Sequence, residues 1–267
     1  MAAVLSTAMA ATMLLTGSIS VQAADAAAAN DPAVELIFTS VSVSGDSHTE
    51  AMYEFADKVE ELSGGSVTCK CYDNGSLFSS ENEFDALLNG DADLAYISFP
   101  TIATQIPSYS MFASGYLFSS YEHMTSVLNG DIGLNKIRPQ IEETLNIKPL
   151  SSFYLGSRVI NTREKEINSY DDMNGLLLRM PNSEAWLFLG EALGANPTPL
   201  SFSELYTALQ TGAVDAQDNP LPSIESAKFY EVTKYIAITN HVVDSIMPCI
   251  NGDTWNSMTE AQQEAVT

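Results

Sequence analysis

The chain has 267 residues, 45% of them hydrophobic, with 34 acidic against 11 basic side chains and a formal net charge of −23 at pH 7. That length can bury one large core or two domains. The charge argues against polyanionic partners: there is no basic stripe with interleaved aromatics for nucleic acid, and no Lys/Arg cluster for anionic lipid.

In chain order, Val4 to Val21 is small and apolar, and Val21-Gln22-Ala23 before Ala24 fits the small-x-small rule of a cleavage site. Residues 1–23 therefore read as a secretory signal, with the mature protein starting near Ala24 in the periplasm or another extracytoplasmic space. A charged leader is missing, since the first basic residue is Lys58, and a low-complexity Ala-rich tail is the alternative. No later stretch approaches the about 18–20 continuous apolar residues of a membrane span.

Val34 to Val41 is strand-like. Ser47-x-x-Glu50 then has the form of a capping box for a helix whose Met52, Phe55, Val59 and Leu62 share a face and which ends at Gly64-Gly65. Residues 66–72 predict a strand, Glu81 to Asn89 a helix stopped by Gly90, and Asp93 to Ile97 another strand. This β-α-β-α-β rhythm implies a parallel or mixed sheet with helices on its faces. Pro100 to Ser120 is irregular, and helices are predicted over 120–129 and 131–145. Strands over 150–162 and 175–180 precede a helix from Ser183 to Leu193 closed by Gly194. Ser201-Phe-Ser-Glu204 opens a further helix, ended by Gly212, with Phe202 and Tyr206 on one face. A strand-like region, 232–252, is expected to break at Pro248. The chain ends at Thr259 to Thr267 with a helix start and no helix stop, which reads as a missing C-terminal part.

Chemistry-bearing residues are sparse. Cys69 and Cys71 are two apart on a predicted strand, so they share a face and are poorly placed to bridge; with Cys249 they read as buried small hydrophobes rather than metal ligands. No cofactor is expected. His48, His123 and His241 are scattered singly, and the pairs Asp171-Asp172 and Glu142-Glu143 sit in polar loops or helix faces. Nucleophile-elbow, zinc-protease, Walker and dinucleotide motifs are absent.

Arg179 stands apart. It is one of four arginines and lies inside the apolar run Gly175-Leu-Leu-Leu-Arg-Met-Pro181. A guanidinium among apolar neighbours is expensive to desolvate and needs a carboxylate, phosphate or comparable acceptor, which its planar fork of donors grips bidentately. That acceptor is either a ligand or an internal acid such as Asp215 or Asp218. Arg163, in the run Arg163-Glu-Lys-Glu166, reads as a solvated turn residue.

Six segments around Arg179 occur in a telling order: Asn174 to Asn182, Leu193-Gly-Ala-Asn-Pro-Thr-Pro199, Phe202 to Gly212, Val214 to Pro220, Lys228-Phe-Tyr-Glu-Val232 and Thr239-Asn-His241. Together they closely resemble the solute-binding proteins of tripartite ATP-independent periplasmic (TRAP) transporters, of the dicarboxylate-binding type. Weaker similarity reaches back to Val34 through Leu88-Asn-Gly90 and Asp93. The resemblance implies an α/β fold of two periplasmic-binding-protein-like domains with mixed sheets, hinge strands and an organic acid held in the cleft between them. It implies a first domain over 32–155 plus 245–267 and a second over 156–244.

The family's carboxylate-binding arginine matches Arg179, and a second family arginine matches Arg158 in Leu155-Gly-Ser-Arg158. The asparagine of its Asn-Pro motif matches Asn219, and an aromatic beside the ligand matches Phe202. Ser98 falls where relatives of larger acids carry a polar contact. Asn219 before Pro220 also suits a simple turn, and Phe202 also suits a core position. The family often has glycine where Phe78 and Ala216 stand and glutamate where Asp218 stands, so Phe78 is expected to narrow the first domain's side of the cleft.

The implied ligands are small organic acids: C4-dicarboxylates, uronates and other sugar acids, sialic acid or oxo acids. The implied partner is a TRAP permease, and the implied activity is binding without turnover. A ligand-sensing module for a receptor and an enzyme acting on an organic acid are the alternatives.

Overall fold

The computed structural model describes residues 28–267, so the signal-peptide reading of residues 1–23 lies outside the described residues. Ten strands form one mixed sheet: β1 Val34–Thr39, β2 Val67–Tyr72, β3 Leu94–Ile97, β4 Ile147–Pro149, β5 Phe153–Thr162, β6 Leu177–Met180, β7 Asn196–Pro199, β8 Ala216–Pro220, β9 Tyr235–Ala237 and β10 Val243–Asn251. Their order is β2-β1-β3-β10-β5-β8-β6-β7, with β4 paired to β10 and β9 to β5. β1 runs parallel to β2 and β3, as the β-α-β-α-β rhythm requires, while β10 and β5 run antiparallel to their neighbours.

β5 and β10 carry the molecule from one half to the other. Met247–Asn251 of β10 pairs with β3 and β4 in the first half, and Val243–Ile246 pairs with β5, with a register shift between Asp244 and Ser245. A bulge at such a shift bends a strand and raises its local twist. Gly156 of β5 has φ +134, and a Cβ built on it meets the Pro220 side chain at 2.4 Å. Only glycine lets β5 pass this close to β8.

Two apolar clusters cover the first half's sheet. One gathers Phe84, Leu87, Phe99 and Met124; the other gathers Leu36, Phe38, Met52 and Val59. Two smaller clusters, around Leu178 and Trp186 and around Leu205 and Phe229, do the same for the second half. β3 is buried along its whole length, which is why its run of apolar residues shows no alternation.

Several sequence expectations shift. The first helix, α1 Ser47–Leu62, is capped by Asp46, whose carboxylate accepts from the His48 backbone N–H at 2.9 Å, and not by Ser47. Asp46 precedes the expected box by one residue and has the stronger acceptor for this role. Leu62 at the end of α1 is exposed, not part of the buried face. α2 Glu83–Asn89 begins two residues later than predicted, and Gly90 ends it in the left-handed conformation that favours glycine. Between the short α3 Phe99–Ile102 and α4 Tyr121–Leu128 lies the 3-10 turn Pro107–Ala113.

The predicted helix over 131–145 is a π turn, Gly133–Ile137, followed by α5 Arg138–Leu145; Pro139 lacks the N–H that a continuous α ladder would use. α6 Glu184–Ala192 and α7 Phe202–Thr211 are as expected, except that the Ser201 hydroxyl bonds Ser203 and Glu204 side chains rather than capping the backbone. α8 Leu221–Ser226 directly follows β8. The region 232–252 forms two strands, and β10 runs through Pro248 without breaking. Pro248 stands opposite Tyr96, and its carbonyl still accepts from the Leu150 N–H at 2.9 Å. α9 Gly252–Ser257 and α10 Glu260–Val266 close the chain, the latter with a full capping box between Thr259 and Gln262.

Cys69, Cys71 and Cys249 are free thiols. Cys249 is buried as expected, whereas Cys69 and Cys71 are only half-buried. No group of three or more His, Cys, Asp or Glu residues among the described residues is arranged to hold a metal.

Candidate functional site

Between the two halves lies a cavity of about 420 Å³, within the range of small-molecule sites. All five residues singled out in the sequence line it: Arg179, Arg158, Asn219, Phe202 and Ser98. They come from five different places in the fold: β6, β5, the end of β8, the start of α7, and the N-cap position of α3. The first half adds Tyr96 and Ile97 of β3, so residues distant in sequence meet here because β5 and β10 hold the halves together.

Arg179 is 2% exposed. Its Nε donates to the Leu200 carbonyl at 2.8 Å, and its guanidinium sits 6.0 Å from the centre of the Phe202 ring. The two terminal nitrogens have no hydrogen-bond partner among the described residues. Burial pushes the guanidinium pKa down to about 10; the Asp218 charge partly offsets this, and the like charge of Arg158 adds to it. Such a group carries desolvation without compensation, and its two terminal nitrogens have the geometry to donate two charge-assisted hydrogen bonds to one carboxylate.

Arg158 is equally buried but answered from within. Its Nε donates to Asp218 Oδ2 at 2.7 Å, one terminal nitrogen to Asp244 Oδ2 at 2.8 Å and the other to Asp218 Oδ1 at 3.0 Å. Trp186 lies under the guanidinium with its ring centre 4.5 Å away. Burial opposes the charge of Arg158, yet Asp218 and Asp244 more than offset it and hold its pKa above the ordinary value. Asp218 is likewise buried, but Arg158 and His241 keep its carboxyl well below the usual range, whereas desolvation wins at Asp244 and raises it. His241 Nε2 stands 3.2 Å from Asp218, and its Nδ1 2.7 Å from the Thr239 hydroxyl.

The alternative acceptors for Arg179 are therefore already engaged. Asp218 belongs to Arg158, and Asp215 accepts from the Leu177 backbone N–H at 3.0 Å at the edge of β6. Asn219 is held by the same network: its amide donates to Gln217 Oε1 at 2.6 Å, and its oxygen is 3.4 Å from Arg158. Phe202 does double duty, on the cavity wall and packed edge-on against Phe229 at 5.7 Å. Ser98 exchanges a hydrogen bond with the Thr101 hydroxyl at 3.0 Å.

Hydrogen bonds that link the two halves at the cleft include the Phe202 N–H to the Ser80 hydroxyl at 3.4 Å and the Ser226 hydroxyl to Asp46 Oδ2 at 3.1 Å, and the Tyr116 N–H donates to the His241 carbonyl at 2.7 Å. Phe78, expected to narrow the cleft, is half-buried and does not line the cavity. Sequence reasoning missed Trp186, which offered only the signal of a large aromatic on the apolar face of α6. It also missed Glu83, which looks like an ordinary acidic first-turn residue and is buried at 5% exposure on the cavity wall.

Residues 38–267 match the family of bacterial extracellular solute-binding proteins, family 7. A sialic acid-binding periplasmic protein of Vibrio cholerae is 34% identical over 211 residues; the match covers 79% of this chain and 65% of that protein. Curated relatives of this kind are thus spanned over somewhat less than two thirds of their length. Among solved structures, a TRAP periplasmic solute-binding protein of Roseobacter denitrificans with bound 3-deoxy-D-manno-oct-2-ulosonic acid is 39% identical with a TM-score of 0.82, over 88% of this chain and 77% of the other. A second from the same organism, with bound L-galactonate, is 31% identical with a TM-score of 0.83, over 88% and 77% respectively. The expected mixed α/β fold of periplasmic binding proteins is the one observed.

Proposed function

The chain belongs to the family 7 bacterial extracellular solute-binding proteins, and from this premise we propose that it captures a small organic acid between its two halves and delivers it to a TRAP membrane permease. The observation that carries the reading is Arg179, a buried guanidinium whose two terminal nitrogens are open to the cavity. Relatives that bind sialic acid, an octulosonic acid and L-galactonate support a carboxylate as the group it grips.

In this reading residues 32–155 with 245–267 form one lobe and 156–244 the other, and closure buries the ligand. The ligand stabilises the closed arrangement only through its preferential affinity for it. Phe202 packs against the ligand, Asn219 and Ser98 orient its polar groups, and Arg158 fixes Asn219 and the wall beside it. The reading is one of binding without turnover, as for the solute-binding relatives, and His241 is engaged with Asp218 and Thr239. The protein works in the periplasm, as its family of extracellular solute-binding proteins does.

Isothermal titration with a panel of acids (galactonate, glucuronate, succinate and pyruvate) tests the reading. Saturable binding of at least one acid by the wild-type protein, lost in Arg179→Ala, is the expected result. A panel in which no acid binds overturns it.

A further inference from the structure

The cavity wall contributed by the first half holds a polar group that the carboxylate-binding reading leaves unused. Glu83 opens α2 but points inward, with 5% of its surface exposed, and its Oε1 has no hydrogen-bond partner among the described residues. Its polar neighbour is the Thr39 hydroxyl at the end of β1, likewise buried, which acts on the Glu83 carboxyl without forming a full hydrogen bond to it. Leaving a buried donor or acceptor unanswered carries the full desolvation penalty of that group, so such atoms in a native protein call for a specific explanation.

The charge on the rest of the wall narrows the explanation. Two cations line the cavity, and Arg158 is consumed by Asp218 and Asp244, which leaves Arg179 alone. Against it stand the carboxylates of Asp46, Glu81 and Asp85. A ligand's first carboxylate finds Arg179, and a second would find no cation and several acids. Burial drives the Glu83 carboxyl well above its ordinary pKa, against the opposing effect of Thr39, and this favours the protonated form, which both donates and accepts.

Resting on the organic-acid reading, we infer that Glu83 is a specificity-determining residue: its buried carboxyl hydrogen-bonds a hydroxyl of the bound acid, and the site selects polyhydroxylated monocarboxylates over dicarboxylates. Hydroxyls complement a group that donates and accepts; a carboxylate only accepts and brings a charge that this wall repels. A site built to hydrogen-bond a substrate hydroxyl discriminates strongly against ligands lacking it, because its own buried polar group is then left unpaired.

Calorimetry at pH 7 with L-galactonate, glucuronate and succinate, on wild type, Glu83→Gln and Glu83→Leu, tests this, with thermal unfolding of each variant to verify its fold. Wild type is expected to favour the hydroxy acids over succinate by at least about tenfold. Glu83→Gln, neutral and of the same shape, keeps that preference within about threefold, while Glu83→Leu loses at least about tenfold in affinity for the hydroxy acids and leaves succinate unchanged. Succinate binding as tightly as the hydroxy acids to wild type, or hydroxy-acid affinity unchanged in Glu83→Leu, overturns the inference while leaving carboxylate capture by Arg179 intact. Should none of the acids bind wild type, the organic-acid reading falls and this inference with it.

Discussion

Arg158 and Arg179 are both buried, both on strands and both on the wall of one cavity, yet they differ in what answers their charge. Arg158 lies on β5, whose antiparallel partner β8 sets it opposite Pro220 and beside Asp218, while β10 on its other side brings Asp244. Arg179 lies on β6, parallel to β7 and β8, and receives from its surroundings one backbone carbonyl and an aromatic face. Burial alone thus does not identify a binding residue. The difference is in compensation: a saturated guanidinium braces the wall, and an unsaturated one is available to a ligand.

The comparison breaks most visibly at Arg158. Arg158→Ala leaves Asp218 and Asp244 buried with no cation between them and is expected to cost about 3–5 kcal/mol of stability, read from urea unfolding. Arg158→Lys should restore little, because a point ammonium does not span both carboxylates as the fork does. An unaltered unfolding midpoint in Arg158→Ala would mean that Arg158 does not brace the wall.

Arg179→Met should behave in the opposite way. Unfolding without ligand is expected to be unchanged or shifted toward greater stability, since an uncompensated buried charge is replaced by an apolar chain. Affinity for the acid should fall by about 2–5 kcal/mol, measured by titration calorimetry.

Protonation separates the braced network from the open wall more gently. The Asp218 carboxyl is depressed in the folded protein, so its stabilisation is fully present above the unfolded value of 3.8 and is lost as pH falls through the lower folded value. Asp244 is raised and has the contrary sign, which blunts the upper edge of that acid transition. Glu83 is raised well above 4.5, so the folded state holds its proton more tightly and stability declines as pH climbs from 4.5 toward the folded value. Thermal unfolding of wild type and Glu83→Gln should therefore diverge as pH increases, the variant gaining; parallel curves would refute a buried neutral carboxyl.

The smallest effect sharpens the role of closure. Ser226→Ala removes the bond to Asp46 across the cleft and is expected to weaken ligand affinity by no more than about 1 kcal/mol, seen as faster dissociation with unfolding unaffected.

Much of the frame was legible in the residues. Gly90 and Gly212 stopped their helices where predicted, and Thr259 opened the last one, because these are local signals: a left-handed φ or a hydroxyl capping an N–H needs no distant partner. β7 and β8 were not read as strands, since Asn-Pro-Thr-Pro and Ala-Gln-Asp-Asn-Pro carry no alternation; neighbouring strands, not propensity, make them extended. Pro248 misled because the pairings around it outweigh one missing donor: Met247 and Cys249 stay in register with β3, and the Pro248 carbonyl still accepts from Leu150.

By itself the sequence determined that a lone arginine in an apolar strand needs an anionic partner, and the ordered segments around it determined the family. The tertiary structure decided which arginine keeps its charge free, because Asp218 and Asp244 reach Arg158 only through strand pairings across large sequence separations. It also decided that Glu83 faces inward: a carboxylate in a helix's first turn looks solvated in one dimension, and only the packing of α2 onto the sheet shows it buried and unanswered.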